Sequence, residues 1–173
     1  MDLFYKNGFH ATGIDRVIAE AGIAKMTLYN HFESKESLIT ECLRYKSDRV
    51  ITWIELELAE RPETSKYKLF ALFDIYESWF RQKGFKGCIF TRAAGEYPDQ
   101  DHPVHKAAAA HTARIFELVS RLTREAGAAN SAGLAEQYVL LLEGATSVAF
   151  STGATIAARR ARRAAYRLLG LSH

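Results

Sequence analysis

Apolar residues along this chain recur mostly at intervals of three and four, and that spacing predicts helices rather than strands. Ile14, Val17, Ile18 and Ala21 share one side of a helix over 13–21, which Gly22 breaks. Thr12, with Asp15 three residues on, predicts a capping-box start. A second helix follows from about Ala24 to Phe32, with Leu28 and Phe32 on its inner face and Lys25 and His31 on the borders. Met26 and Asn30 point away from that face, flanked by Thr27 and Tyr29. Two short helices around a tight turn, the second exposing such a face, predict a helix-turn-helix of the kind that reads a major groove.

The pattern continues through the chain. Asp2 to Lys6 predicts a short opening helix that Gly8 ends. Ser34 caps a helix of about 25 residues whose apolar side runs through Leu38, Ile39, Cys42, Leu43, Val50, Trp53 and Ile54, and Arg61-Pro62 ends it. Leu69, Leu72, Phe73, Tyr76, Trp79 and Phe80 form a wide apolar face over 64–83. Gly84 and Gly87 break that helix, and a short one over 88–97 stops at Pro98. Pro103 sits in the first turn of the next, where Val104, Ala108, His111, Ile115, Leu118 and Leu122 follow one inward line. Residues 134–150 are apolar almost all round, so the core can cover one side and a partner chain the other. A last helix over 154–169 divides into an Ala157, Ala161, Ala164, Ala165 and Leu168 stripe and an arginine face of Arg159, Arg160, Arg162, Arg163 and Arg167. That arginine face reads as a solvated surface, with nucleic-acid or membrane binding as the alternative.

Composition sharpens the class. At 173 residues, 48% hydrophobic and 25% charged, the chain can bury a core as one or two domains. No run of eighteen apolar residues and no amino-terminal apolar segment occurs, which predicts a cytoplasmic protein with no membrane span. The net charge of +3 says little about partners, and residues 1–50 hold seven Lys or Arg against seven Asp or Glu. That balance is a poor electrostatic footprint for nucleic acid, so affinity must rest on where the charges sit or on residues outside this chain. Cys42 and Cys88 lie in different helical segments and read as reduced, buried thiols, with a redox switch as the alternative.

The first fifty residues carry a family resemblance. Phe4, Gly8-Phe9, Thr12, Ile14, Ile18-Ala19, Ala21-Gly22-Ile23, Lys25, Thr27-Leu28-Tyr29, His31-Phe32 and Ser34-Lys35-Glu36-Ser37-Leu38 resemble the pattern of the TetR-type transcriptional regulators, the tetracycline repressor family. Helix order and residues 87–111 extend the likeness more loosely. The resemblance implies an all-α chain: a helix-turn-helix DNA-binding domain over 1–46 and a larger effector-binding and dimerisation domain over 47–173. It implies a ligand-responsive regulator, expected to be a repressor, that binds palindromic operator DNA as a homodimer through its two carboxy-terminal helices and is released by a small-molecule effector. The long fourth helix becomes the lever between effector and DNA. Two departures stand out. The first helix is shorter than in the family, so the start lies upstream of Met1 or part of the domain is gone, and Ala24 stands where a Ser would cap the recognition helix. These departures support a second reading, a dimeric helical small-molecule-binding module that has lost DNA binding.

Site residues follow from the same resemblance. Base contact falls to Lys25, Met26, Tyr29 and Asn30, and phosphate contact to Thr12, Thr27, Tyr29, His31 and Lys35. For Tyr29 and His31 the plainer alternative is closing the small three-helix core. Effector candidates are Phe73, Tyr76, Trp79, Phe80, Phe90, His111, Phe116 and Glu143. For any single aromatic residue plain core is the favoured reading, for His111 a core histidine bonded to a carbonyl is the usual one, and for Glu143 an Arg partner is the plainer one. Glu96, His102, His105 and His111 fit no standard metal spacing. No cofactor is implied, and with no nucleophile elbow, phosphate loop or evident base for Cys88 the sequence does not read as an enzyme.

Overall fold

The computed structural model describes residues 1–61 and 64–169, which form nine α-helices with no strand among the described residues. They are α1 (Asp2–Asn7), α2 (Ile14–Ala21), α3 (Lys25–His31), α4 (Lys35–Ala59), α5 (Ser65–Phe80), α6 (Ile89–Glu96), α7 (Pro103–Glu125), α8 (Ser131–Thr152) and α9 (Ala157–Leu168). Every helix expected from the sequence is present, within a few residues of its expected ends. Pro62, expected to stop α4, lies outside the described residues; the helix itself ends at Ala59.

Two compact units share the chain. One joins Met1–Arg49 to Ile89–Thr112, and the other joins Val50–Cys88 to Ala113 onward. In the first, α1 is too short to be stable by itself. Burial holds it: Phe4 is 1% exposed and its ring lies 5.3 Å from that of the fully buried Phe9. α6 secures the same region, because the Arg92 guanidinium donates to the Tyr5 carbonyl at 2.9 Å and Glu96 Oε2 accepts from the His10 backbone at 2.7 Å. Gly8, with φ 93°, closes α1, and a Cβ there would lie 2.9 Å from Glu96 Oε1. Ser34 caps α4 reciprocally with Ser37: the Ser37 amide donates to Ser34 Oγ at 3.0 Å, and the Ser34 amide donates to Ser37 Oγ at 3.1 Å. Leu38, Ile39 and Leu43 then bury the first half of α4.

In the second unit α5, α8 and α9 pack together. Leu69, Leu72, Phe73 and Ile75 of α5 and Tyr138 and Leu142 of α8 are almost fully buried. Fully buried Ala158 and Ala165 on α9 let it approach closely, and Phe70 stacks on Tyr166 at 3.8 Å. The arginine face of α9 is not wholly solvated. Arg162 Nη1 donates to Asp74 at 2.7 Å, with Arg61 3.7 Å from the same carboxylate, and Arg159 lies 2.9 Å from the mostly buried Glu77. Arg160, Arg163 and Arg167 remain exposed. Asn130 caps α8, its Oδ1 accepting from the Gly133 amide at 3.0 Å.

Candidate nucleic-acid interface and effector residues

The α2–α3 turn is built by one glycine. Gly22 adopts the left-handed conformation at φ 64° and ψ 30°. Its amide donates to the Ala19 carbonyl at 3.3 Å while the Ile23 amide reaches the Ile18 carbonyl at 3.4 Å, the Schellman closure of a helix end. The chain then enters α3 through Ala24, whose extended backbone suits a capping residue but whose methyl group supplies no acceptor. The start of α2 corrects the capping-box expectation. Gly13 occupies the capping position with no side-chain bond, and Thr12 turns inward instead. Its hydroxyl donates to the Gly8 carbonyl at 2.6 Å, and the residue is 0% exposed. Thr12 therefore ties the loop after α1 and presents no surface for a phosphate.

α3 is anchored by one buried residue, Leu28 at 3% exposed. Lys25, Met26, Thr27, Tyr29, Asn30 and His31 are all exposed, Met26 to 72% and Tyr29 to 43%. Tyr29 and His31 thus face outward and do not close the core. Lys25 Nζ lies 3.2 Å from Asp15 Oδ1. Half-buried Lys35, the first residue of α4, sends its ammonium to the His10 carbonyl at 3.3 Å. The structure so gathers one continuous exposed helix surface of donors, acceptors and an apolar thioether, the mixture that base edges and thymine methyls require.

The effector candidates divide between the two units. In the second unit Phe73 is buried against Tyr138, with ring centroids 5.6 Å apart, and reads as core. Tyr76, Trp79 and Phe80 form an aromatic cluster with Phe85, which the sequence reading missed. Phe85 follows the helix break at Gly84, so no periodicity marks it; an aromatic between two glycines is the signal that was available. Trp79 meets Tyr76 edge-on at 5.8 Å and Phe85 edge-on at 5.0 Å. Burial raises the Tyr76 phenol far above its ordinary pKa, reinforced by the charges of Glu143 and Cys88, so it is a neutral hydroxyl in this apolar cluster. Phe116 and Glu143 are half-buried.

Phe90 and His111 belong to the first unit. Their rings stack at 3.6 Å and 13°, and His111 Nδ1 is hydrogen-bonded to Ser47 Oγ at 2.9 Å. A hydroxyl, not a carbonyl, is therefore one partner of this buried histidine. Neither Cys42 nor Cys88 forms a disulfide, and burial pushes the Cys42 thiol up, which disfavours the reactive thiolate. Among the described residues no group of three or more His, Cys, Asp or Glu side chains could hold a metal, and no helix is long and apolar enough to cross a membrane.

Comparison with known proteins places both parts of the chain. Residues 1–42 match the family model of bacterial regulatory proteins of the tetR family, and residues 65–165 match the tetracyclin repressor-like carboxy-terminal domain. The HTH-type transcriptional regulator YjdC of Escherichia coli is 24% identical over 147 residues, 85% of this chain and 77% of that protein. The HTH-type transcriptional activator FasR of Mycolicibacterium smegmatis is 28% identical over 69% of this chain and 55% of its own. A TetR-family transcriptional regulator from Streptomyces coelicolor superposes with a TM-score of 0.88 at 28% identity, covering 97% of this chain and 88% of that one. The reduced form of Escherichia coli NemR shares the fold, with a TM-score of 0.87 at 17% identity over 96% and 90% of the two chains.

Proposed function

The chain belongs to the tetR family of bacterial regulatory proteins, a transcriptional regulator built on this all-helical fold, and we propose that it acts as a ligand-responsive repressor binding palindromic operator DNA as a homodimer. The observation that carries this reading is α3, where six of seven residues face solvent around the single anchor Leu28. The outer face of that helix is left open to a partner. Lys25, Met26, Tyr29 and Asn30 read base edges, while Thr27, His31 and Lys35 hold phosphates and set the register. Residues 1–46 supply the DNA-binding function, and 47–173 supply effector binding and dimerisation.

The dimer uses the outer side of α8 and α9, where Leu140 is 72% exposed, Val148 44% and Leu168 42%. Two copies then set their α3 helices in successive major grooves, about 34 Å apart. The effector is a mostly apolar or aromatic small molecule received by Tyr76, Trp79, Phe80 and Phe116, with Glu143 and the neutral Tyr76 hydroxyl as polar contacts. Its binding shifts the population toward a state with a different separation of the recognition helices.

The test is fluorescence anisotropy with duplexes from the DNA flanking the chain's own gene. Specific binding in the range of about 10⁻⁸–10⁻¹¹ M, weakening linearly in log–log form with salt, is the expected result. One observation favours a second reading, a dimeric small-molecule-binding module without DNA affinity: residues 1–50 balance seven basic against seven acidic side chains. No salt-sensitive binding to any flanking duplex, from a protein that is dimeric and folded, would establish it in place of the first.

A further inference from the structure

The chain passes between its two compact units three times, after Arg49, after Cys88 and after Thr112. On the side of the first unit, each passage carries one member of a single buried group. Ser47 stands two residues before the first crossing, Phe90 is the second residue after the second, and His111 is the last but one before the third. Their exposures are 4%, 4% and 6%. His111 touches both of the others: Nδ1 bonds Ser47 Oγ at 2.9 Å, and the ring lies face to face with Phe90 at 3.6 Å. One imidazole therefore joins α4, α6 and α7 where all three leave the unit that carries α3.

We propose that Ser47, Phe90 and His111 form a clasp that makes these three passages open and close as one, with His111 as its positioning residue. A hydrogen bond fixes α4 to α7 in direction, and a stacked ring pair fixes α6 to α7 in spacing. Both contacts are buried, so breaking either one is costly, and displacement of one passage is imposed on the other two. A hydrophobic side chain in place of His111 could fill the same volume but would join only two of the three. The imidazole offers a flat face and an in-plane nitrogen together in one small ring.

Amide hydrogen exchange on the full chain, read by mass spectrometry over 44–49, 89–92 and 108–112, tests this. In the unaltered protein the three segments share one opening rate and one dependence on mild denaturant. Ser47→Ala raises exchange about tenfold in all three, because it leaves the buried Nδ1 without its hydroxyl, and Ser47→Thr, which keeps the hydroxyl, restores it. His111→Phe keeps the stack, so it loosens 44–49 more than 89–92. Acceleration confined to the segment carrying the substitution, or three unrelated opening rates in the unaltered protein, would overturn the clasp. The comparison of the three opening rates needs no variant, so failure of a variant to fold leaves the proposal open to refutation.

Discussion

The Asp15 carboxylate stands 3.2 Å from the Lys25 ammonium, linking the first turn of α2 to the first residue of α3. Both side chains are well exposed, 81% and 63%, so the pair adds no more than about 1 kcal/mol to stability. Its consequence lies in the proposed interface, where Asp15 neutralises a cation of the base-reading face that would otherwise add to the positive charge meeting the DNA. Asp15→Asn should therefore leave the melting temperature nearly unchanged and steepen the slope of log K against log[salt] by about 0.9, one phosphate contact. Adding Lys25→Ala to the Asp15→Asn variant should remove the same increment. Anisotropy titrations across a salt series measure both, and an unchanged slope in the Asp15 variant would sink this role for the pair.

Ala24 precedes α3 with φ −72° and ψ 148°, the backbone of a helix cap without the side chain to perform it. Ala24→Ser needs no backbone change and supplies an acceptor for the amides of the first turn. Stabilisation of about 0.5–2 kcal/mol is expected from urea unfolding, with the gain appearing as slower amide exchange in α3. If stability is unchanged, the α3 amides are already satisfied in some other way.

Much of this was legible in the sequence, for local reasons. The α2–α3 turn could be read because Gly22, the 3.6-residue spacing of Ile14, Val17, Ile18 and Ala21, and the inward Leu28 are all decided within a few residues. Thr12 was misplaced because one hydroxyl serves equally as a cap or as a loop tie, and the choice depends on the Gly8 carbonyl and the burial of Phe9. The joining of α6 to the opening helix was beyond periodicity altogether. It rests on His10 with Glu96 and Tyr5 with Arg92, pairs separated by 86 and 87 residues. Likewise the alternation of α9 foretold its two sides, but not that Asp74 and Glu77 of α5 would claim Arg162 and Arg159.

Tyr97 carries a pH signature. Its ring stands near His10 at 4.5 Å and His102 at 4.7 Å, and its buried hydroxyl has no hydrogen-bond partner among the described residues. Burial pushes the phenol up to about 12, helped by the carboxylates of Glu36 and Glu96. In the unfolded chain a tyrosine titrates near 10. The folded state therefore resists ionisation, and the resulting stability is complete below about pH 10 and lost as pH rises from 10 to 12. Tyr97→Phe has no phenol to ionise, so it should lack this part of the alkaline decline. The raised phenols of Tyr76 and Tyr138 maintain the rest. At pH 7 the variant should be at least as stable as the parent, since it loses an unpaired buried hydroxyl and keeps the ring. Urea midpoints from pH 7 to 12 decide it, and an alkaline limb identical in both proteins would remove Tyr97 from the account.

Leu140 separates the stability of one chain from the stability of a dimer. It lies on α8 with 72% of its surface exposed, two helical turns before Val148, itself 44% exposed. Within the single chain, Leu140→Arg alters a solvated position and should change folding free energy by no more than about 0.5 kcal/mol. Across the proposed dimer interface the same change would place a charge where Leu140 is expected to be covered by the partner, and a two-fold axis would double the penalty by presenting both copies at once. Sedimentation velocity should give the parent protein as a species of twice 19.4 kDa and the variant as the 19.4 kDa chain, with an unchanged helical spectrum. DNA binding then follows the assembly: a monomer holds one half-site, so operator affinity should fall by orders of magnitude while the exposed α3 surface is intact. A variant that remains dimeric at the parent's dissociation constant would move the interface away from this face of α8, and the pairing of α3 helices would have to be sought on another axis.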